Sequence, residues 1–465
     1  MQGASGLSTA SCKLIGATAH EIHVTVNIQC QSAVKTLNFP YSYLRDNCKS
    51  NFHPTTLQRL TGLNRSILSS RAESVRITDE DALSIEWKNV VTIGVDASKT
   101  LDNISTYSVK FLLEHSLEKD DRLSRQVELY RQIQGLTAAD FFKQRSESPF
   151  IYGSILENDE TLLKLMDRLW THGIAFVTGV PHTTATEEVG ESFFTNRRLG
   201  DDGDDNKDSR DKMEHEIHVQ RLQDRLAYSR ETNYGRIFHV KANLMNPNNQ
   251  AYTSKVLPLH TDLPFYQLAP DIQMLHCVSQ AGQGGESVFC DGVSAVQKLK
   301  EKYLLEGERG LEKYRLLTTA PVQFSDTSDK FCLKDQKPIV KEVHVGEESF
   351  ITQLFFNEGV RCQVLNGCEW DKVPLLYEAM IELQEMFQDP DLNFDFRMNA
   401  GDLCIWNNNR VMHGRAAFTV ADADAAPKEV GAGDGNRHLV GGYVDWDDVL
   451  SKRRVLTTDG GEYVL

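Results

Sequence analysis

The chain has 465 residues, 40% of them hydrophobic and 25% charged, an ordinary globular composition with length enough for two domains. Its formal net charge of −16 excludes non-specific attraction to nucleic acid or to an anionic membrane surface. No window approaches the roughly eighteen consecutive apolar residues that a membrane helix needs, which excludes a span of that kind.

The nine cysteines show no Cys-x-x-Cys and no paired framework. They read as reduced thiols of a cytoplasmic protein without structural disulfides. The N-terminal stretch has no long apolar segment and no Arg before Arg45, so neither a secretory signal nor a transit peptide is expected.

In chain order, residues 1–118 alternate apolar and polar positions in short runs. "EIHVTVNI", "SVRITDEDALSIEW" and "NVVTIGV" each read as strand, giving a small β-rich N-terminal domain. Residues 119–150 are charged and helix-periodic and form a connection, with Thr137 placed to cap a short helix. From about residue 160 a helix runs to Gly173 and feeds a buried strand, "IAFVTGV", ended by Pro181. The run "LGDDGDDNKDSRDK" at 199–212, with six aspartates and no aromatic, reads as a solvated loop insert. Further short strands follow: "DIQMLHCV", "ESVFCDG", "FITQLFF", "GDLCIWNN" and "LVGGYVDW". Helical stretches are expected at 292–315 and 373–388. Many short strands with few helices make residues 151–465 a jelly-roll domain, mainly β with flanking helices.

The chemistry concentrates around "PLHTDLPF". His260 and Asp262 stand two apart, and in an extended segment they would project from one face. Of the 14 histidines only His260 has an aspartate two residues on, while a single such pair is also compatible with a hydrogen-bonded surface pair. His413 in "RVMHGR" offers a third ligand. Two histidines and one carboxylate leave open coordination positions on one face of a metal ion, the arrangement of non-haem Fe(II) oxygenases. Arg437, further on, supplies the guanidinium that an enzyme using 2-oxoglutarate needs for the distal carboxylate.

Six stretches, "YLRDNC", "RETNYGRIF", "NNQAYTSKVLPLHTDLPF", "GGESVFCDG", "GDLCIWNNNRVMHGR" and "RHLVGGYVDWDDVL", occur in an order that resembles the gamma-butyrobetaine/trimethyllysine hydroxylase family of Fe(II)/2-oxoglutarate oxygenases. The resemblance covers nearly the whole chain. It implies a double-stranded β-helix, with His260, Asp262 and His413 as catalytic iron ligands. Arg437 would pair with the distal carboxylate of 2-oxoglutarate, assisted by Ser287. The run "TVADADAAPKEVGAGDG" lengthens the gap before Arg437 relative to the family, which leaves Arg415 as the alternative. An aromatic cage for a trimethylammonium group would comprise Tyr234, Phe238, Tyr252 and Tyr443, with Phe238 standing where the family has Trp. Asn249 and Asn357 would face a substrate carboxylate.

The activity so implied is hydroxylation of gamma-butyrobetaine to L-carnitine by O2, with 2-oxoglutarate as cosubstrate giving succinate and CO2, ascorbate as reductant, and a possible homodimer. Trimethyllysine hydroxylation is the rival within the mechanism. A non-catalytic jelly-roll binder of betaine-like cations is the rival outside it. The family's N-terminal zinc is expected to be absent, because His53 replaces a cysteine after Cys48 and no histidine follows "EWKNV".

Overall fold

The computed structural model describes residues 12–60, 65–78, 81–89, 91, 100–147, 149–182, 207–241, 253–365, 367–419 and 437–457. Packing divides the chain into two compact units, Met1–Leu129 with Gly460–Leu465, and Tyr130–Asp459.

The first unit carries two three-stranded antiparallel sheets. One is β1 (Cys12–Ala19), β2 (His23–Cys30) and β3 (Ala33–Pro40), followed by short helices α1 (Tyr41–Asp46) and α2 (Arg65–Leu68). The other is β4 (Ala72–Ile77), β5 (Ala82–Trp87) and β6 (Ile104–Ser108), followed by α3 (Val109–Glu114). The period of two predicted for the first stretch is visible in β2, where Val24, Val26, Ile28 and Cys30 are buried and the intervening residues are not. The expected strand at 89–95 lies almost wholly outside the described residues.

One expectation is overturned here: Cys12 and Cys30 form a disulfide. They are direct partners across β1 and β2, with Cα atoms 4.3 Å apart, the close spacing of a non-hydrogen-bonded antiparallel pair. The other seven cysteines are free. Cys48 is buried with its thiol 3.3 Å from the Ser50 hydroxyl. His53 Nδ1 accepts from the backbone N–H groups of Thr55 and Thr56.

Helix α4 (Lys119–Arg131) crosses from one unit to the other. In the second unit, α5 (Ala138–Glu147) opens with a reciprocal cap: Thr137 Oγ1 accepts from Asp140 N–H while Asp140 accepts from Thr137 N–H. Then come β7 (Phe150–Ile151), α6 (Tyr152–Glu157), α7 (Asp159–His172), β8 (Ile174–Thr178), α8 (Lys207–Leu226), β9 (Ile237–Lys241), β10 (Leu257–His260), β11 (Ile272–Ser279) and β12 (Ser287–Asp291). Helix α7 ends where predicted, at Gly173 with φ +77°. Of the acidic stretch, residues 199–206 lie outside the described residues. Residues 207–212 are helical rather than loop: they form the N-terminal turns of α8, where the sequence supplies Asp208 and Asp211, acidic residues that the positive end of a helix dipole favours.

The chain continues through α9 (Gly292–Leu305), α10 (Glu308–Thr319), β13 (Val322–Thr327), β14 (Cys332–Lys337), β15 (Val340–Val345), β16 (Glu348–Leu354), α11 (Val373–Met386), β17 (Asn393–Phe396), β18 (Leu403–Asn407), β19 (Val411–Arg415), β20 (His438–Val444) and α12 (Trp446–Thr457). The helix expected over 292–315 is thus two, divided at Gly307, whose φ of +67° reverses the chain.

Two sheets face each other as a jelly roll, a six-stranded one in the order β7-β8-β18-β11-β20-β9 and a four-stranded one in the order β10-β19-β12-β17. Their interleaved core includes Phe176, Cys277 and Trp406 from the large sheet against Phe289, Phe394 and Phe396 from the small one. Helices α6, α7 and α8 bury their apolar faces on the outside of the large sheet. Helices α9 to α11 cluster with the hairpins β13–β14 and β15–β16 beside the small one. Among the described residues no helix is long and apolar enough to cross a membrane.

Candidate active site

The pairing of β10 with β19 sets His260 directly opposite His413, with rings 4.3 Å apart. The expectation that a single strand carries both His260 and Asp262 is corrected: β10 ends at His260. Thr261 donates its N–H to Phe356 O at 2.8 Å, and Asp262 donates its own to Asn408 Oδ1 at 2.7 Å. This turn, with Leu263 at φ +57°, brings the carboxylate back toward the imidazoles.

The result is a compact donor set. His260 Nε2 lies 3.1 Å from Asp262 Oδ1, and His413 Nε2 lies 3.8 Å from Asp262 Oδ2. One ligand atom from each of the three falls within 4.8 Å of the others, the sole such cluster among the described residues. His260 Nδ1 faces the Pro258 carbonyl at 2.8 Å and must donate to it. In a neutral ring Nε2 then presents a lone pair to a carboxylate, an arrangement that only a proton or a metal ion between them relieves.

The electrostatics agree. Burial alone would raise Asp262, but the His413 and His260 imidazoles and the Tyr443 hydroxyl outweigh it and hold the carboxyl well below its ordinary range. Burial, then the neighbouring His260, pushes His413 down to about 3. The trio is therefore a carboxylate beside imidazoles that cannot both be protonated.

Sequence reasoning missed most of the groups that hold this arrangement, and it named Tyr443 only as an aromatic of the cage. Asp262 Oδ2 accepts from Gln273 Nε2 and from Tyr443 OH, each at 2.8 Å. These two residues are register partners on β11 and β20. Asn408 receives Asp262 N–H and donates to the carbonyls of Asp262 and Pro270. Trp406 packs its ring 4.8 Å from that of His413. Arg410 and Asp291, both buried, form two charge-assisted hydrogen bonds of 2.9 Å and secure the turn between β18 and β19. Only the polar run "NNNR" hinted at this turn.

The trio opens into a cavity of about 420 Å³, the size of small-molecule sites. Ser287, Arg415 and Arg437 line it too. The two arginines differ. Arg415 Nη2 donates to Thr253 O at 2.6 Å and Lys255 O at 2.8 Å, and its guanidinium lies over the Phe418 ring. Arg437 is buried, and its guanidinium makes no hydrogen bond among the described residues. Burial, then the charge of Arg415, lowers it to about 9, so it remains a cation at neutral pH, with no described carboxylate paired to it.

Tyr234, Phe238 and Tyr443 form an aromatic wall of the same cavity. The Phe238 and Tyr443 rings stack with centroids 5.2 Å apart. Phe238 lies against Gly441, its register partner, where any side chain would meet the ring at 2.7 Å. Asn357 also lines the cavity, but its amide is partly committed, donating to Thr261 O and accepting from Gly359 N–H. Tyr252 and Asn249 lie outside the described residues.

A jelly roll with two histidines and one carboxylate facing such a cavity defines a class, the 2-oxoglutarate-dependent dioxygenases that work with iron. Within it, residues 132–443 match the family described as "Taurine catabolism dioxygenase TauD, TfdA family", and the chain belongs to that family. It is similar to the gamma-butyrobetaine dioxygenase of Pongo abelii, at 26% identity over 90% of this chain and 91% of that one. It is similar also to the mitochondrial trimethyllysine dioxygenase of Homo sapiens, at 24% identity over 94% and 86%. Among solved structures, the non-heme iron oxygenase OrfP, in complex with Fe and alpha-ketoglutaric acid, matches 66% of this chain and 88% of its own at a TM-score of 0.41 and 13% identity.

Proposed function

We propose that the enzyme hydroxylates gamma-butyrobetaine to L-carnitine, using Fe(II), O2 and 2-oxoglutarate. The observation that carries this reading is one cavity that joins the His260–Asp262–His413 donor set, the Arg437 guanidinium, unpartnered among the described residues, and an aromatic wall.

In this reading His260, Asp262 and His413 hold the iron. When bound, iron and 2-oxoglutarate supply an oxidative decarboxylation that yields succinate and CO2 and directs one oxygen atom of O2 to a substrate C–H bond. The chain's own residues do the positioning. The Pro258 carbonyl fixes the His260 tautomer, and Gln273 with Tyr443 fixes the Asp262 carboxylate. Arg437 grips the distal carboxylate of 2-oxoglutarate, with Ser287 beside it and Arg415 already committed to the carbonyls of Thr253 and Lys255. Tyr234, Phe238 and Tyr443, together with Tyr252, receive the trimethylammonium group, which has no N–H to donate and is held by ring faces. Asn357 and Asn249 face the substrate carboxylate. Ascorbate keeps the iron reduced, residues 1–118 form a small β-rich accessory domain, and the enzyme works as a homodimer.

Trimethyllysine is the second substrate considered, because its dioxygenases match a comparable share of the chain. It carries an additional α-amino group that needs an acceptor. Succinate release measured with each substrate decides between them. Stimulation by gamma-butyrobetaine well above that by trimethyllysine is expected; the reverse transfers the substrate assignment to trimethyllysine.

A further inference from the structure

The cavity holds a charge that neither the aromatic wall nor the iron cluster accounts for. Asp326, on β13 and half-buried, lines the same cavity as Tyr234, Phe238 and Tyr443. Its Oδ2 accepts from Tyr234 OH and from Asn233 Nδ2, both at 3.3 Å. The segment holding these donors is a tight turn. Thr232 and Gly235 exchange backbone hydrogen bonds, and Asn233 N–H donates to Tyr266 OH at 2.8 Å. Tyr234 is therefore presented to the cavity with its hydroxyl directed at a carboxylate. Among the described residues no Lys, Arg or His side chain forms an ion pair with Asp326, although neighbouring acids are neutralised, as Glu358 is by the Arg361 fork.

An unneutralised carboxylate in a partly enclosed, partly apolar cavity attracts a cation more strongly than the same group in water. By accepting a hydrogen bond from the Tyr234 hydroxyl it also makes that ring richer in electrons, and so a better face for a cation. The two effects act at one end of the cavity.

We infer that Asp326 is a specificity-determining residue, a fixed negative charge at the cation end of the cavity. Through it the enzyme selects a cationic head group over a neutral one of the same shape and takes an ammonium that carries an N–H as well as a quaternary one. This rests on the reading that the substrate is a small cationic acid. The rival is a purely structural role, in which Asp326 serves only as the acceptor that holds Asn233 and Tyr234.

Asp326→Asn separates the two, because the amide oxygen can still accept both hydrogen bonds while the charge is gone. The full-length protein, loaded anaerobically with Fe(II) and 2-oxoglutarate, is titrated calorimetrically with three ligands. These are gamma-butyrobetaine, 4-(dimethylamino)butanoate, which carries an N–H at neutral pH, and 5,5-dimethylhexanoate, the neutral-headed isostere of gamma-butyrobetaine. The expected result is a loss of roughly tenfold for gamma-butyrobetaine in the variant. The loss is larger for the dimethylamino acid, whose charge-assisted hydrogen bond also goes, and little changes for the isostere. Equal affinities in wild type and variant, or equal losses for all three ligands, overturn the role of Asp326. If the variant shows the charge-selective loss but the wild type forms no carnitine in air, Asp326 stands and the gamma-butyrobetaine reading falls. If the wild type binds neither cation, both fall.

Discussion

Arg437 and Arg415 lie in one cavity and carry the same charge, yet only one is free to bind an anion. The difference is in their partners: Arg415 Nη2 is tied to two backbone carbonyls, whereas the buried Arg437 guanidinium makes no hydrogen bond among the described residues. A buried guanidinium without an anion is costly, and a bidentate carboxylate is the partner its geometry suits. Arg437→Ala is therefore expected to raise KM for 2-oxoglutarate by about 30- to 150-fold, the equivalent of roughly 2–3 kcal/mol of lost charged hydrogen bonding. The kcat at saturating 2-oxoglutarate should change far less. Steady-state kinetics with 2-oxoglutarate varied checks this, and an unchanged KM would move the role to Arg415. Tyr443→Phe makes a different test at the same scale. It keeps the ring stacked on Phe238 but removes the hydroxyl from Asp262. Fe(II) affinity is expected to fall by about 10- to 100-fold, measured by metal titration, while affinity for the substrate cation changes little.

At the scale of elements, the site depends on the β18–β19 turn and on the chain leaving β10. Arg410 and Asp291 are both buried and paired, and Arg410 also donates to Thr171 O and Gln134 O. Arg410→Met leaves Asp291 as an uncompensated buried charge and is expected to cost about 3–5 kcal/mol of stability, visible as a lowered midpoint in urea unfolding. The elements themselves were largely legible in the sequence. Period-two runs marked β2 and β5, short strand-like runs marked β11, β12 and β18, and a left-handed glycine marked the end of α7. What local pattern could not reveal was anything decided by partners distant in the chain. The His260–Asp262 approach depends on Asn408, 146 residues on, and the Asp262 clamp on Gln273 and Tyr443. The cystine joins residues 18 apart whose pairing is set by the hairpin register. The histidines and Arg437 stood out because their chemistry is scarce. Gln273 and Asp326 did not, because a glutamine in an apolar strand and an aspartate in a polar hairpin are commonplace until the fold sets them in one cavity.

For the molecule as a whole, two units carry distinct kinds of stabilisation. Every described residue of the proposed site belongs to the unit Tyr130–Asp459, whereas the Cys12–Cys30 disulfide belongs to the other. Closing a loop of that size is worth about 3 kcal/mol through the unfolded chain. Thiol titration of the denatured, unreduced protein should count seven thiols of the nine cysteines, and nine after reduction; a count of nine without reductant would show the pair to be open. The central claim is that a single cavity combines an iron site, a 2-oxoglutarate grip and a cation-binding wall to hydroxylate gamma-butyrobetaine. Its most direct test is turnover of gamma-butyrobetaine under 18O2 with Fe(II), 2-oxoglutarate and ascorbate, followed by mass spectrometry. The account predicts carnitine carrying one 18O atom, formed in step with succinate. Succinate released without any hydroxylated cation would contradict it.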